Sequence, residues 1–161
     1  MMAIQGIEQP EMIQIDDALR LRKYDGVHDF ALSWYQDEVT VWLVDGNRNP
    51  YTMERLGGMY RYLNEAGELY FIEVYENDTY KPIGDVTFWQ EDMPIVIGDP
   101  NYRGKGIGRR VILALIQRGK MLGYDRLEVG CLLALALQSG GGLDHLDQVI
   151  VVGVDGDGLK H

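Results

Sequence analysis

One segment, residues 95–110, constrains the fold and function of this chain more than any other. It begins as an apolar run, passes through a turn with glycines at positions 104, 106 and 108, and continues into an amphipathic helix. Glycines allow the main chain to approach a ligand closely, and a helix start presents unpaired N–H groups and the positive end of the helix dipole. Seven basic residues and one acidic residue lie between Arg103 and Arg126. The segment therefore predicts a binding site for a phosphate-containing ligand.

The spacing of the glycines excludes two common phosphate motifs. A dinucleotide-binding fingerprint requires a third glycine where this chain has Val111. A P-loop requires Ser or Thr directly after its lysine, whereas Lys105 is followed by Gly106, so no hydroxyl is placed for magnesium. A Rossmann dehydrogenase and a P-loop kinase or ATPase are therefore not favoured.

The apolar periodicity predicts both helices and strands around this segment. A loosely alternating stretch indicates one strand over residues 13–24, and three- and four-residue steps indicate a helix over residues 51–65. Aromatic and β-branched residues on both sides of Asn77-Asp78 predict an antiparallel hairpin. The remaining predicted elements are helices over residues 28–36 and 106–122, the latter with Gly123 as its C-cap, and strands over residues 93–97 and 127–129.

The order Arg103-x-x-Gly106-x-Gly108 resembles the central motif of the GNAT family of acetyl-CoA-dependent N-acetyltransferases. The resemblance extends from about residue 83 to residue 130 and includes Asp99-Pro100 before the motif and Gly123-Tyr124 after the helix. It implies an α/β (α+β) single domain with a mixed, mostly antiparallel twisted sheet that splays beside the coenzyme strand and has helices on both faces.

The resemblance also implies acetyl-CoA, or coenzyme A, as the ligand of the glycine turn. In this family the loop amides hold the coenzyme pyrophosphate, which carries over to Arg103, Gly104, Lys105, Gly106, Ile107, Gly108 and Arg109. The preceding strand pairs with the pantetheine arm in the family, so by position the backbones of Val96 and Gly98 are expected to bond to it. An N–H there would stabilise negative charge developing on the thioester oxygen.

The implied reaction is attack of a primary amine on the acetyl thioester, which requires a base because amines are protonated near pH 7. Asp92 is the first candidate, since it lies eleven residues before Arg103, where some family members carry a glutamate base. Three further carboxylates remain alternatives: Glu73, Asp85 and Glu91. The early helix borders the acceptor cleft in this family, which assigns Trp34, Tyr35 and Asp37 to substrate binding.

The last quarter of the chain departs from the family. All sixteen aromatic residues lie at or before Tyr124, so the usual tyrosine acid and Gly-Phe turn are missing. We therefore expect a flexible segment at 1–10, an acetyltransferase core at 11–130 and an atypical segment at 131–161, with an altered reading frame as one hypothesis. Divergence is the other, with residues 132–137 as a core element and 149–152 as a closing strand. The missing tyrosine also keeps open a non-catalytic acetyl-CoA-binding regulatory or interaction module.

Composition limits the partners and the compartment. The 161 residues carry a formal net charge of −10, which argues against a nucleic-acid or anionic-membrane ligand and favours a cationic amine acceptor or a protein N-terminus. A single cysteine, Cys131, and no leader or spanning segment favour a cytoplasmic protein. The three histidines have no metal-ligand spacing, so no metal is predicted. A homodimer is compatible with the sequence.

Overall fold

The computed structural model describes residue 4 and residues 6–89, 93–124, 126–129 and 150–153, the last two ranges as backbone alone. Five strands form an antiparallel sheet in the order β1-β2-β3-β4-β5, and β6 and β7 form a separate antiparallel pair. The strands are β1 Met12–Asp16, β2 Leu19–Lys23, β3 Glu68–Glu76, β4 Thr79–Phe88, β5 Ile95–Ile97, β6 Arg126–Val129 and β7 Ile150–Gly153. The helices are the 3-10 helix Asp29–Gln36, α1 Glu38–Asp45, α2 Met53–Ala66, a 3-10 turn Pro100–Tyr102 and α3 Ile107–Met121.

The sheet is covered by helices on both faces, as the resemblance implied. One face packs against α3 through a cluster that includes Ile95 and Ile97, and the other packs against the 3-10 helix and α2 through Val96. Because alternate residues of a strand point to opposite faces, β5 contributes to both cores. Its three residues are all buried, which explains why its sequence is continuously apolar.

The predicted central hairpin is confirmed and is longer than expected. β3 and β4 pair from Glu68↔Phe88 to Glu76↔Thr79, around a turn in which Asn77 and Asp78 have φ angles of 55° and 64°. Asn and Asp tolerate the left-handed region better than other residues with side chains, and two such residues in sequence suit a two-residue hairpin turn.

The single strand predicted over residues 13–24 is wrong, because the chain reverses within it. The Asp16 side chain accepts a hydrogen bond from the Ala18 N–H at 2.9 Å, and this local turn converts the stretch into the β1–β2 hairpin. Helix α1 was not predicted at all, although its sequence carries an N-cap at Asp37 and a left-handed glycine, Gly46, at its end.

The two long helices lie close to their predicted positions. α2 starts after Thr52, whose hydroxyl accepts from the Arg55 N–H, and α3 starts after Gly106 in the left-handed conformation. Gly123, which follows α3, has a φ of 85° and its N–H donates to the Lys120 carbonyl, as expected for the residue that ends the helix. The strand predicted over residues 149–152 is found as β7, whereas residues 132–137 lie outside the described residues.

We expect Thr87→Val to stabilise the fold. The Thr87 hydroxyl is buried in β4 and has no hydrogen-bond partner among the described residues. Replacing a buried, unpartnered hydroxyl with a methyl group of the same shape should raise the free energy of unfolding by about 1 kcal/mol. Urea denaturation measures the change, with Thr87→Ser, which keeps the hydroxyl and loses the methyl group, expected to be less stable than the wild type. A destabilised valine variant would contradict this account.

Candidate active site

The Asp99 side chain holds the connection from β5 to α3 in shape through one hydrogen bond within the connection and one ion pair to β4. The Asp99 carboxylate accepts from the Asn101 N–H at 3.0 Å and pairs with the Lys81 ammonium at 3.2 Å. The chain then makes the 3-10 turn and enters residues 104–109, here called the glycine segment. Gly104 and Gly106 have φ angles of 81° and 74°. Residues with side chains rarely adopt such angles, so the glycines are required by this backbone path.

The glycine segment presents a row of backbone donors. Among the hydrogen bonds of the described residues, none uses the N–H groups from residue 104 to residue 109; the first helical bond is from the Arg110 N–H to the Gly106 carbonyl at 3.2 Å. Gly106 offers no side chain to cap α3, so the donors of the first turn have no cap. Unpartnered N–H groups together with the helix dipole fit a bound anion.

Two cations beside these donors have no ion-pair partner among the described residues. The Lys105 and Arg109 side chains are exposed and form no salt bridge there, whereas the Arg110 guanidinium pairs with Asp16. Lys105 lies with its ammonium 5.7 Å from the centre of the Tyr102 ring. The segment therefore combines main-chain donors with positive charge, as a diphosphate requires.

The register of β5 revises which backbone groups face its open edge. The Gly98 N–H donates to the Ile83 carbonyl of β4 at 2.8 Å, and the Thr87 N–H donates to the Pro94 carbonyl at 3.0 Å. Hydrogen-bonded pairs alternate along an antiparallel ladder, so Val96 also bonds to β4 through its partner Asp85.

The outward groups of β5 are consequently those of Ile95 and Ile97. No strand among the described residues pairs with this edge, since β5 ends the five-stranded sheet. The expectation that Val96 and Gly98 present their backbones to a ligand is wrong by one position: the backbone groups of Ile95 and Ile97 face the free edge instead. A sequence pattern cannot predict which backbone groups face the free edge. It shows which side chains are apolar, but not which amides form hydrogen bonds with a neighbouring strand.

Arg103 uses its side chain inside the protein. Its Nε donates to the Ile97 carbonyl at 2.9 Å and its Nη2 donates to the Thr40 hydroxyl at 2.7 Å. The backbone N–H of Arg103 donates to the Pro100 carbonyl at 3.3 Å. Arg103 therefore fixes the start of the glycine segment against β5 and α1, and its own backbone N–H is not part of the row of free donors.

Trp34 is the predicted acceptor residue that lies nearest to β5. Its indole is 7% exposed and packs directly on Gly98, where an added Cβ would lie 2.3 Å from the ring. Phe30, on the same 3-10 helix, meets Trp34 edge to face with ring centres 5.7 Å apart. Gly98 is therefore required by the close approach of this aromatic wall, a role that the sequence did not reveal.

Tyr35 and Asp37 differ from the expectation that they face a substrate. Tyr35 is 1% exposed and its hydroxyl donates to the Asp85 carboxylate at 2.7 Å, so it belongs to the core. The Asp37 carboxylate accepts from the Thr40 N–H at 3.0 Å and from the Thr40 hydroxyl at 3.1 Å, which makes it the N-cap of α1.

The described alternatives to the predicted base are both engaged. Glu73 accepts from the Arg20 Nε at 2.8 Å and from the Arg22 Nε at 2.7 Å, so both of its oxygens are paired with guanidinium groups. Asp85 is buried, and desolvation raises its pKa to about 6 although the Tyr35 and Tyr60 hydroxyls that bond to it act in the opposite direction. Asp92 and Glu91 lie outside the described residues.

Neither a cluster of metal ligands nor a membrane-spanning helix is found among the described residues. No group of three or more potential ligands there is arranged to hold a metal ion. None of the helices described is long and apolar enough to cross a bilayer. The site thus consists of backbone donors, basic side chains and an aromatic wall beside one buried strand.

The structure thus places a buried edge strand beside a glycine-rich helix start, within a helix-covered antiparallel sheet. The family model described as "Acetyltransferase (GNAT) family" matches residues 29–136. The chain belongs to the GNAT acetyltransferase family.

Solved structures support the fold assignment. A domain from Methanocaldococcus jannaschii is 20% identical, with a TM-score of 0.59 over 70% of this chain and 77% of that one. A GNAT-family acetyltransferase from Bacillus anthracis is 17% identical, with a TM-score of 0.58 over 71% of this chain and 70% of that one. A Salmonella typhimurium acetyl transferase that modifies the N-terminal serine of a 50S ribosomal subunit protein is 18% identical, with a TM-score of 0.56 over 81% of this chain and 84% of that one. A comparison with curated proteins finds no match.

Proposed function

We propose that this chain transfers the acetyl group of acetyl-CoA to a primary amine of a cationic small molecule or of a protein N-terminus. The observation that carries the proposal is the row of backbone N–H groups from residue 104 to residue 109. No described residue accepts a hydrogen bond from them, and the oxygens of a diphosphate would do so. When bound, acetyl-CoA supplies an activated acetyl thioester.

The glycine segment and β5 bind different parts of the coenzyme. The loop donors, with Lys105 and Arg109 beside them, bind the diphosphate. The outward N–H groups of Ile95 and Ile97 bind the extended pantetheine arm along the free edge of β5, in the manner of an added strand. A donor at this edge also stabilises charge on the acetyl oxygen as the new bond forms.

The acceptor approaches from the helix-covered face on which Trp34 packs. A base would first take one proton from the ammonium form of the acceptor. The neutral nitrogen would then bond to the acetyl carbon as the carbon–sulfur bond breaks, and a second proton from that nitrogen would balance protonation of the departing coenzyme A thiolate to the thiol. Asp92 remains our proposed base from its spacing to Arg103.

The charge of the chain favours a cationic acceptor. The chain carries 25 acidic against 15 basic residues, and many of the basic ones lie at the glycine segment and α3, so the remaining surface is acidic. Opposite charge raises the rate at which an acceptor and an enzyme meet. One structural neighbour modifies a protein N-terminus, which belongs to the same proposed acceptor class.

The test combines binding and turnover. Calorimetry with coenzyme A measures binding, and release of free thiol is followed with acetyl-CoA and a panel containing a polyamine, an aminoglycoside and a peptide with a free N-terminal serine. We expect coenzyme binding and thiol release with at least one cationic amine. Absence of coenzyme binding would overturn the whole proposal, whereas binding without turnover on the panel would favour the non-catalytic module.

Reversing two charges at the glycine segment is expected to weaken coenzyme binding. Lys105→Glu with Arg109→Glu places negative charge beside the proposed diphosphate, and we expect the Kd for coenzyme A to rise roughly tenfold to a hundredfold at low salt. The matched control is Arg61→Glu on the exposed face of α2. Because exposed charges are screened, the effect should shrink as salt is added. An equal Kd for the double variant and the control would contradict the placement of the diphosphate.

A further inference from the structure

Thr40 lies at the centre of a partly buried chain of hydrogen bonds whose direction is fixed by chemistry. It is 0% exposed, in the first turn of α1. A guanidinium can only donate, so the Thr40 hydroxyl must accept from the Arg103 Nη2 at 2.7 Å. Its single hydrogen then goes to the Asp37 carboxylate at 3.1 Å. One hydroxyl therefore joins a cation to an anion.

The chain of bonds connects the two halves of the proposed site. At one end, the Arg103 Nε donates to the carbonyl of Ile97, at the free edge of β5. At the other end, Asp37 caps α1 through the Thr40 N–H. Arg103 stands immediately before Gly104, the first residue of the row of free donors. The position of the glycine segment is thus coupled to α1, the helix that follows Phe30 and Trp34 in the chain.

The charged partners make the Thr40 hydroxyl more important than its size suggests. Thr40 is buried, Asp37 and Arg103 are partly buried, and hydrogen bonds to charged groups are about twice as strong as those between neutral groups. Without the hydroxyl, the guanidinium and the carboxylate would face a methyl group and would each seek a new partner. The Arg103 side chain would then no longer be held against α1.

We infer that Thr40 is a positioning residue for the coenzyme site: through Arg103 it holds the glycine segment in the conformation that binds the diphosphate. The inference rests on the proposed function, because it names the residue that sets the geometry of the same site. Thr40 touches neither the proposed coenzyme groups nor the reacting atoms, and it acts only through Arg103.

The test compares Thr40→Val, which keeps the shape of the side chain, with Thr40→Ser, which keeps the hydroxyl. We expect the valine variant to bind coenzyme A roughly tenfold more weakly, in line with loss of a charged hydrogen bond, and the serine variant to bind within about twofold of the wild type. With coenzyme A present, hydrogen exchange at the amides of residues 104–109 should be faster in the valine variant than in the wild type. Circular dichroism and thermal denaturation establish that both variants fold.

A matched control separates positioning from loss of helix capping. Thr52→Val removes the hydroxyl that caps α2, which lies outside the chain of bonds, and it should lower stability without changing the affinity for coenzyme A. A double-mutant cycle between Thr40→Val and Arg103→Lys should show strong non-additivity in coenzyme affinity.

The outcomes are distinguishable. If the wild type does not bind coenzyme A, the proposed function fails. If the wild type binds and the valine and serine variants bind equally well, or if Thr52→Val weakens binding as much as Thr40→Val, the inference about Thr40 is overturned while the proposed function stands.

Discussion

Replacing Gly84 with alanine is expected to separate β5 from β4 and to abolish coenzyme binding. A Cβ at Gly84 would lie 2.1 Å from the carbonyl oxygen of Val96 and 3.1 Å from the Cα of Ile97. Both atoms belong to the main chain of β5, so no side-chain rotation can relieve the clash. We expect the free energy of unfolding to fall by about 3 kcal/mol or more, at the upper end of what overpacking costs.

Gly58→Ala provides the matched control for this substitution. Gly58 is exposed in the middle of α2, and an added Cβ would meet nothing within 4 Å. Alanine should therefore raise stability there by about 1 kcal/mol through helix propensity. Thermal denaturation and coenzyme A titration of both variants measure the contrast. A Gly84→Ala protein with the melting temperature of the wild type would show that the two strands do not approach as described.

The second large effect concerns the pH dependence of stability and the buried carboxyl of Asp85. Desolvation raises its pKa from 3.8 to about 6, so the folded protein holds this proton more tightly than the unfolded chain does. The stabilisation from this group is complete below about pH 4 and is lost as the pH rises through about 6. A difference of two pKa units corresponds to about 3 kcal/mol.

Asp85→Asn isolates this contribution because the amide does not ionise. The stability of the variant relative to the wild type should increase by about 3 kcal/mol between pH 4 and pH 7 and then stay constant. Urea denaturation across this range measures the difference. Tyr35→Phe serves as a companion: it removes a hydroxyl that donates to Asp85 and lowers its pKa, so the loss of stability should shift to higher pH. A variant whose relative stability does not change with pH would refute the burial of an ionisable group here.

The Asp85 carboxyl shows that tertiary contacts decide the role of a residue. Asp85, Glu73 and Tyr35 were candidates for chemistry because of their positions near the predicted site. In the fold, Glu73 is paired with two guanidinium groups, and Asp85 and Tyr35 bond to each other within the core. Their partners come from residues up to 53 positions away in the chain, so no local pattern could have identified them.

Local signals accounted for much of the architecture. The glycine spacing, the apolar run before it and the amphipathic stripe after it predicted β5, the glycine turn and α3, because φ preferences and side-chain periodicity act over a few residues. The hairpin around Asn77-Asp78 was predictable for the same reason. The β1–β2 reversal depended on one side-chain hydrogen bond at Asp16, which competes with strand continuation over too short a distance for periodicity to show it.

The sequence by itself determined the family, the glycine turn and the order of the central elements, since each of these depends on residues that are neighbours in the chain. Only the tertiary structure decided which amides of β5 remain free, that Trp34 packs on Gly98, and that Thr40 joins Arg103 to Asp37. Hydrogen-bond register and contacts across a core depend on how separate elements pack, and that packing is a property of the whole chain.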